Sequence, residues 1–505
     1  MWLQDVMVVR APARPHVGGR VWTISILRVA LLLVVLLAWN GWAYSASLGV
    51  LVPVRQGDEN ASKVGAGGIA MPILQAAPDS TLRQALLKES ARGTVAFALK
   101  LDEQAQRAAG QAVQPTWLML TDEDGGFAKR GFWLRESGGD RFVDQPYVAL
   151  VVDAGSVADG SFEEIFAHEL GHVLLRRLIP RLPAGMSRLP HGSLTVTDEP
   201  TAFDEGFAIH FQPLSRILTV NAALKAHDDG LGDKPFTSLW QSNVDGTLRV
   251  DGVRRNWFIH RQLLPPGDDD AAARRANSSA FDVGALKNGN QMMASEGVAA
   301  TLFYRTLAPH PSVARYVSLF RALKHLNPRD LQPDSHLLPL LAQSWIAIDP
   351  QQGARFARIL VETTYGATVE SALPRATTAL AQVGRIGGQE VFVQQLKSVR
   401  AQMGAITGRV EREPATLSAA LGPALWLATS QSLILNVNTA ETEQFFALDP
   451  SLADWAEKIV VEREARGPYG SLVDLTQRVR LPAALATGLG DMAAGALTLG
   501  TYPRL

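Results

Sequence analysis

The chain has 505 residues, with 48 Lys and Arg against 49 Asp and Glu and a formal net charge of −1. So even a balance excludes a global field that would gather nucleic acid or acidic lipid, while 47% hydrophobic residues suffice for ordinary folded cores. Cysteine is absent, which excludes disulfides, thiolate metal ligands and a cysteine nucleophile.

The first element is an apolar run. Arg10, Arg14, Arg20 and Arg28 precede a stretch from Val29 to Val54 that carries no charged residue. That run is long enough to span a hydrocarbon core of about 30 Å. The arginines place residues 1–20 in the cytoplasm, residues 21–54 in the membrane as a single-pass anchor, and the rest of the chain across it. A cleaved signal peptide is the alternative, with small residues around Ala43-Tyr44-Ser45. Both readings make the remainder extracytoplasmic, and periplasmic if the source is a Gram-negative bacterium. Residues 55–80 are rich in small and polar residues and read as a linker.

Thr81 to Gly110 has a helical pattern. Thr116–Leu120, Gly131–Leu134 and Gln145–Ala154 are β-branched or apolar runs and read as strands. The next element, Phe162 to Pro180, reads FEEIFAHELGHVLLRRLIP. It sets His168, Glu169 and His172 in an H-E-x-x-H pattern. Four residues is just over one helical turn, so both imidazoles project from one face and can grip one ion. Glu169 stands beside the first of them and can reach a metal-bound water without binding the metal. With so few histidines, such a pattern arises by chance about once in a hundred chains of this length. The bland alternative is a core helix with two satisfied histidines. Ser161 and Glu164 have the spacing of a capping box at its start, and Pro180 marks its end.

A catalytic zinc site has three protein ligands as a rule. Downstream lies Thr201–Gln212, TAFDEGFAIHFQ. With His168-Glu169-Leu170-Gly171-His172, the segment Asp204-Glu205-Gly206-Phe207-Ala208 resembles the two motifs of the gluzincin metallopeptidases. The resemblance implies zinc on His168, His172 and Glu205, with Glu169 as general base. The 32 residues between His172 and Glu205 exceed the spacing usual in aminopeptidase-type members. Glu296, in Ser295-Glu296-Gly297-Val298-Ala299, is a rival third ligand; its structural alternative is a helix N-terminal carboxylate. Glu199 and Asp204 read as outer or solvated carboxylates. Gluzincins add a tyrosine or histidine to stabilise the oxyanion. Tyr304, His210, His191 and Tyr147 are the candidates, each with core packing as the alternative.

Residues 225–292 carry many turn signals and read as an irregular insertion, and residues 346–430 read as a helical region. The tail, Leu435–Leu481, resembles the helix-hairpin-helix domain of competence-type DNA-uptake proteins. Asn436, Asn438, Thr439, Ala440, Ile459, Arg463, Gly467, Pro468, Tyr469, Ser471, Leu472, Asp474 and Leu475 carry that likeness. Thr439 is expected to cap a first helix and Gly467 to end the second. The family's glycine hairpins are replaced by Leu448-Asp449-Pro450-Ser451-Leu452 and Leu481-Pro482-Ala483-Ala484-Leu485. Residues 436–480 hold eight acidic and five basic residues, a net of −3. That balance opposes DNA and favours a protein partner.

The expected architecture is an α+β, zincin-like and largely helical peptidase domain over residues 81–345. An N-terminal membrane helix precedes it; residues 346–430 and a small all-α domain over 431–505 follow. The expected function is peptide-bond hydrolysis by a zinc-activated water, on a peptide or protein substrate. A zinc-stabilised scaffold and a tethered DNA receptor are the alternatives.

Overall fold

The computed structural model describes residues 47–180 except 58, 66 and 67, then 182, 198–229, 289–326, 336–370 except 365, 389–417 and, with gaps, 421–498. The strands β1 (Leu48–Pro53), β2 (Arg55–Gln56), β3 (Glu59–Asn60), β4 (Ser62–Val64) and β5 (Ala70–Ala76) come first. Helices α1 (Thr81–Glu89) and α2 (Gly93–Ala108) lead to β6 (Thr116–Leu120), β7 (Gly126–Glu136) and β8 (Gly139–Leu150). The main sheet runs β1-β6-β8-β7-β5-β4, and β1 also pairs with β5. Strands β1, β6, β8, β7 and β5 therefore close into a barrel.

Alternation along these strands explains their composition. Leu51, Met119, Phe132, Tyr147 and Ala149 share the barrel's own apolar core. Their neighbours Val50, Leu118, Val148 and Leu150 belong to the larger core shared with the helices. β1, β6 and the last residues of β8 are therefore buried on both faces and read as continuous apolar runs.

This corrects the expected boundaries. Leu48–Pro53, assigned to the end of the membrane segment, is a barrel strand, and most of the expected linker forms β2 to β5. A strand buried on both sides and a membrane span are equally apolar, so composition does not separate them. Residues 21–46 of the expected anchor lie outside the described residues. Among those described, no helix is long and apolar enough to cross a membrane.

After β8 come α3 (Ala154–Asp159), α4 (Ser161–Leu178), α5 (Glu199–Ile209), α6 (Phe211–Leu218) and α7 (Ala222–Asp229). Then follow α8 (Gly289–Met293), α9 (Glu296–Leu307), α10 (Val313–His325), α11 (Leu337–Ile348), α12 (Pro350–Thr363) and α13 (Gln389–Arg412). Phe356, Leu360, Ile406 and Val410, from the expected separate helical region, are buried in the same core as α4, α5 and α9. No break in the core falls at residue 345. Most of the 225–292 insertion lies outside the described residues.

The tail has β9 (Trp426–Ala428), β10 (Leu433–Asn436), α14 (Ala453–Arg466), α15 (Leu472–Val479), α16 (Ala483–Ala493) and β11 (Leu497–Thr498). Strands β9, β10 and β11 form a small sheet, so this part is not all-α. It has its own core around Phe445, Ile459, Tyr469 and Leu475. Several of the residues that carried the likeness hold this part together. The Asn438 amide bonds both the N–H and the C=O of Tyr469, at 2.7 and 2.9 Å. The Tyr469 hydroxyl donates to Ile459 O at 2.7 Å. Gly467 ends α14 at φ +84°. Thr439 lies outside the described residues.

Candidate metal centre

Helix α4 begins differently from expectation. Its N-cap is Gly160 at φ 87°, with no side-chain cap. Asp159 Oδ1 instead accepts the Ser161 N–H at 2.9 Å, and Glu164 is drawn away to Arg216 at 2.6 Å. The helix ends at Leu178, with Arg176 and Arg177 in its last turn, where cations suit the helix dipole. Helix α5 is started by Asp198, which accepts the Thr201 N–H at 2.8 Å.

Two motif glycines let these helices approach. A Cβ on Gly171 would lie 2.9 Å from Ala208 Cα on α5. A Cβ on Gly206 would lie 2.4 Å from Ala299 Cβ and 2.7 Å from Glu296 O on α9. The three helices pack backbone to backbone at these points, which brings the face of α5 against the histidines of α4.

His168, His172 and Glu205 converge, with one ligand atom from each within 4.8 Å of the others. Glu205 Oε2 is 3.7 Å from His168 Nε2 and 3.6 Å from His172 Nε2. These separations are too long for hydrogen bonds. Ligands at about 2.0–2.1 Å from a tetrahedral zinc lie about 3.3–3.4 Å apart, so the spacing suits such an ion. The donor set of two imidazole nitrogens and one carboxylate oxygen fits zinc equally well.

Asp204, the neighbour of Glu205, accepts from His172 Nδ1 at 2.7 Å. Its acceptor-only carboxylate puts a proton on Nδ1, so Nε2, which faces Glu205, is the nitrogen that a metal would take in place of a second proton. A carboxylate behind a ligating histidine in this way fixes its tautomer and raises its basicity. Burial opposes charge on His172, but Asp204, Glu205 and Glu169 outweigh it and raise its pKa to about 9 in the metal-free chain. Burial also pushes Asp204 up, but the charge of His172 and their hydrogen bond prevail and hold it below the usual range.

Glu169 is buried, and burial raises it above the usual carboxylate value. Glu205 and Asp204 add to this, while His172 and Arg176 oppose it. Its side chain packs against Gly126, the first residue of β7. Pairing of β7 with β5 is confined to Trp133 and Leu134, whereas Gly126–Arg130 pairs with β8 alone. Pro146 stands opposite Arg130 and has no N–H to give. That puts Arg130, Ala128 and Gly126 at non-hydrogen-bonded positions, with their backbone groups turned from β8. Arg176, one turn beyond His172, donates to Ala128 O and lies 3.8 Å from Asp204 Oδ2. An edge of β7 thus runs along the metal-facing side of α4.

The other residues singled out from sequence stand elsewhere. Glu296 is buried at the start of α9 and is outside the converging group. Glu199 binds His336 Nδ1 at 2.6 Å and receives the Leu337 N–H at 3.3 Å, which anchors the start of α11. His210 is buried: its Nδ1 donates to Phe207 O, and its Nε2 accepts from the Tyr316 hydroxyl at 2.8 Å. Burial lowers its pKa to about 3. Tyr147 lies in the barrel core, where burial raises its pKa to about 12. Tyr304 is half-buried against the helical core, and His191 lies outside the described residues. Sequence reasoning missed Gly126 and Arg176. The four-residue step from His172 was a signal for Arg176; nothing in the sequence marked Gly126. No protein-family model, curated protein or solved structure matches the chain.

Proposed function

We propose that the chain is a zinc-dependent peptidase of gluzincin type. The observation that carries the reading is the convergence of His168, His172 and Glu205 beside the buried carboxylate of Glu169. When bound, zinc would lower the pKa of a water and polarise a carbonyl. His168 Nε2, His172 Nε2 and Glu205 Oε2 would hold it, and Asp204 would keep His172 in the right tautomer. Glu169 takes the proton of the attacking water on a carboxylate oxygen and delivers it to the leaving amine. Its burial excludes competing solvent and keeps the proton within reach. The turned-out backbone of Gly126 and the Ala128 N–H support a peptide substrate, because an extended chain can add to such an edge through main-chain hydrogen bonds. The membrane anchor expected from sequence would hold this activity outside the cytoplasm.

Zinc content and turnover of Ala46–Leu505, the chain's compact unit, test the reading. About one zinc per chain is expected. Glu169→Gln keeps that zinc and loses hydrolysis, while Glu205→Ala loses both. Turnover surviving in Glu169→Gln would reject the mechanism. An absence of zinc after reconstitution would reject the centre itself.

A further inference from the structure

A cavity of 470 Å³ opens beside α12, lined by Arg315, Arg355 and Arg358 with Gln351, Gln352 and Glu362. On α12 the positions 351, 355, 358 and 362 recur every three or four residues and form one stripe. Arg315 reaches in from the first turn of α10. Two of these charges are engaged: Glu362 with Arg305 at 2.7 Å, and Arg358 with Glu411 at 3.4 Å. Among the described residues no carboxylate pairs with Arg315 or Arg355. Both are half-buried, so water screens them incompletely. Burial, then the charges of Arg315 and Arg358, hold the Arg355 guanidinium below its usual value. Arg315 Nη1 and Gln352 Oε1 are enclosed with no hydrogen-bond partner among the described residues.

Such crowding is relieved by an anion. A guanidinium fork bonds phosphate oxygens in pairs, and a phosphate monoester brings about −1.5 to −2 charges at neutral pH, more than one carboxylate supplies. The Gln352 oxygen calls for a donor that phosphate lacks and a ligand hydroxyl provides. The volume falls within the range of about 300–1,000 Å³ for small-molecule sites. We propose that this cavity binds the phosphoryl group of a hydroxylated phosphate monoester. Arg315 and Arg355 hold its oxygens, and Gln352 accepts from a hydroxyl. A second basic cavity, lined by Arg107, Arg321, Lys324 and His325, is the weaker site. Arg107 is already paired with Glu103 at 2.7 Å, and the other three are exposed.

Calorimetric titration of the full-length chain tests this, after removal of metal because phosphate is itself a metal ligand. The probes are glycerol 3-phosphate and hexanoyl lysophosphatidate, a water-soluble lipid that keeps one glycerol hydroxyl. One site per chain is expected, weakened at least tenfold in Arg315→Gln and in Arg355→Gln and unchanged in Arg321→Gln. Binding of glycerol 3-phosphate assigns the site to a soluble ester; binding of the lysophosphatidate alone assigns it to a lipid headgroup. Both outcomes support the proposal. Binding of neither probe, or binding that survives both substitutions, overturns it. Metal-free protein makes the result independent of the zinc reading.

Discussion

A Cβ on Gly126 would lie 2.6 Å from Glu169 Oε1 and 2.9 Å from its Cγ. The proposed general base is therefore positioned by a missing side chain on a strand that precedes it by 43 residues in sequence. Gly126→Ala pushes the carboxylate aside without touching a metal ligand. The expected result is unchanged zinc content and a kcat lower by about 10- to 100-fold, since a shift near 1 Å has that effect on an aligned group. Parallel zinc analysis and peptide assays check it; full activity would show that Glu169 does not act from this position. His168, Glu169 and His172 were legible in the sequence because a four-residue step is local geometry. The partnership of Asp204 with His172 was not, because it spans 32 residues and depends on how α5 meets α4.

At the scale of elements, Gly171 and Gly206 explain why the motif helices carry glycine in their interiors, where it costs about 1 kcal/mol relative to alanine. Each removes a Cβ that would hold two helices apart. Gly206→Ala meets the backbone of α9, which cannot swing away as a flexible side chain can. It is expected to lower stability by about 1–3 kcal/mol through overpacking and to weaken zinc binding, because Glu205 is the preceding residue. Urea unfolding and chelator competition measure the two effects. A variant as stable as the parent would mean that α5 and α9 slide past one another. The strands at 116–120 and 131–134 and the helices after residue 80 were also legible, because their periodicity is local. The expected strand at Gln145–Ala154 stops at Leu150, since Asp153 turns to cap α3 through the Ser156 N–H at 2.7 Å.

At the scale of the molecule, a buried ion pair joins α2 to the motif helix, and a hydrogen bond carries it on to the barrel. Arg177 on α4 donates to Asp102 on α2 at 2.7 Å, and both side chains are fully enclosed. Asp102 also accepts from Thr116 on β6 at 2.7 Å and from Gln106 at 2.9 Å. Arg177→Met leaves Asp102 as a buried unpaired charge and is expected to destabilise the fold by about 3–5 kcal/mol. The double variant with Asp102→Leu should recover much of that loss, because the uncompensated charge is gone. Thermal unfolding of the three variants decides; a double variant no better than the single would assign the loss to packing alone.

Sequence by itself determined what depends on near neighbours: the H-E-x-x-H helix, the D-E-G-F-A segment as a motif, several strands and the lack of thiol chemistry. Tertiary structure alone decided that Glu205 joins the histidines while Glu296 does not, and that Asp204 backs His172. It also decided that residues 48–53 belong to a closed barrel. The reason is physical. Helical spacing is written in consecutive residues. The same apolar run serves a membrane span or a strand buried on both faces, and the same acidic residue serves a helix end or a metal. Only the packing of distant segments separates these uses.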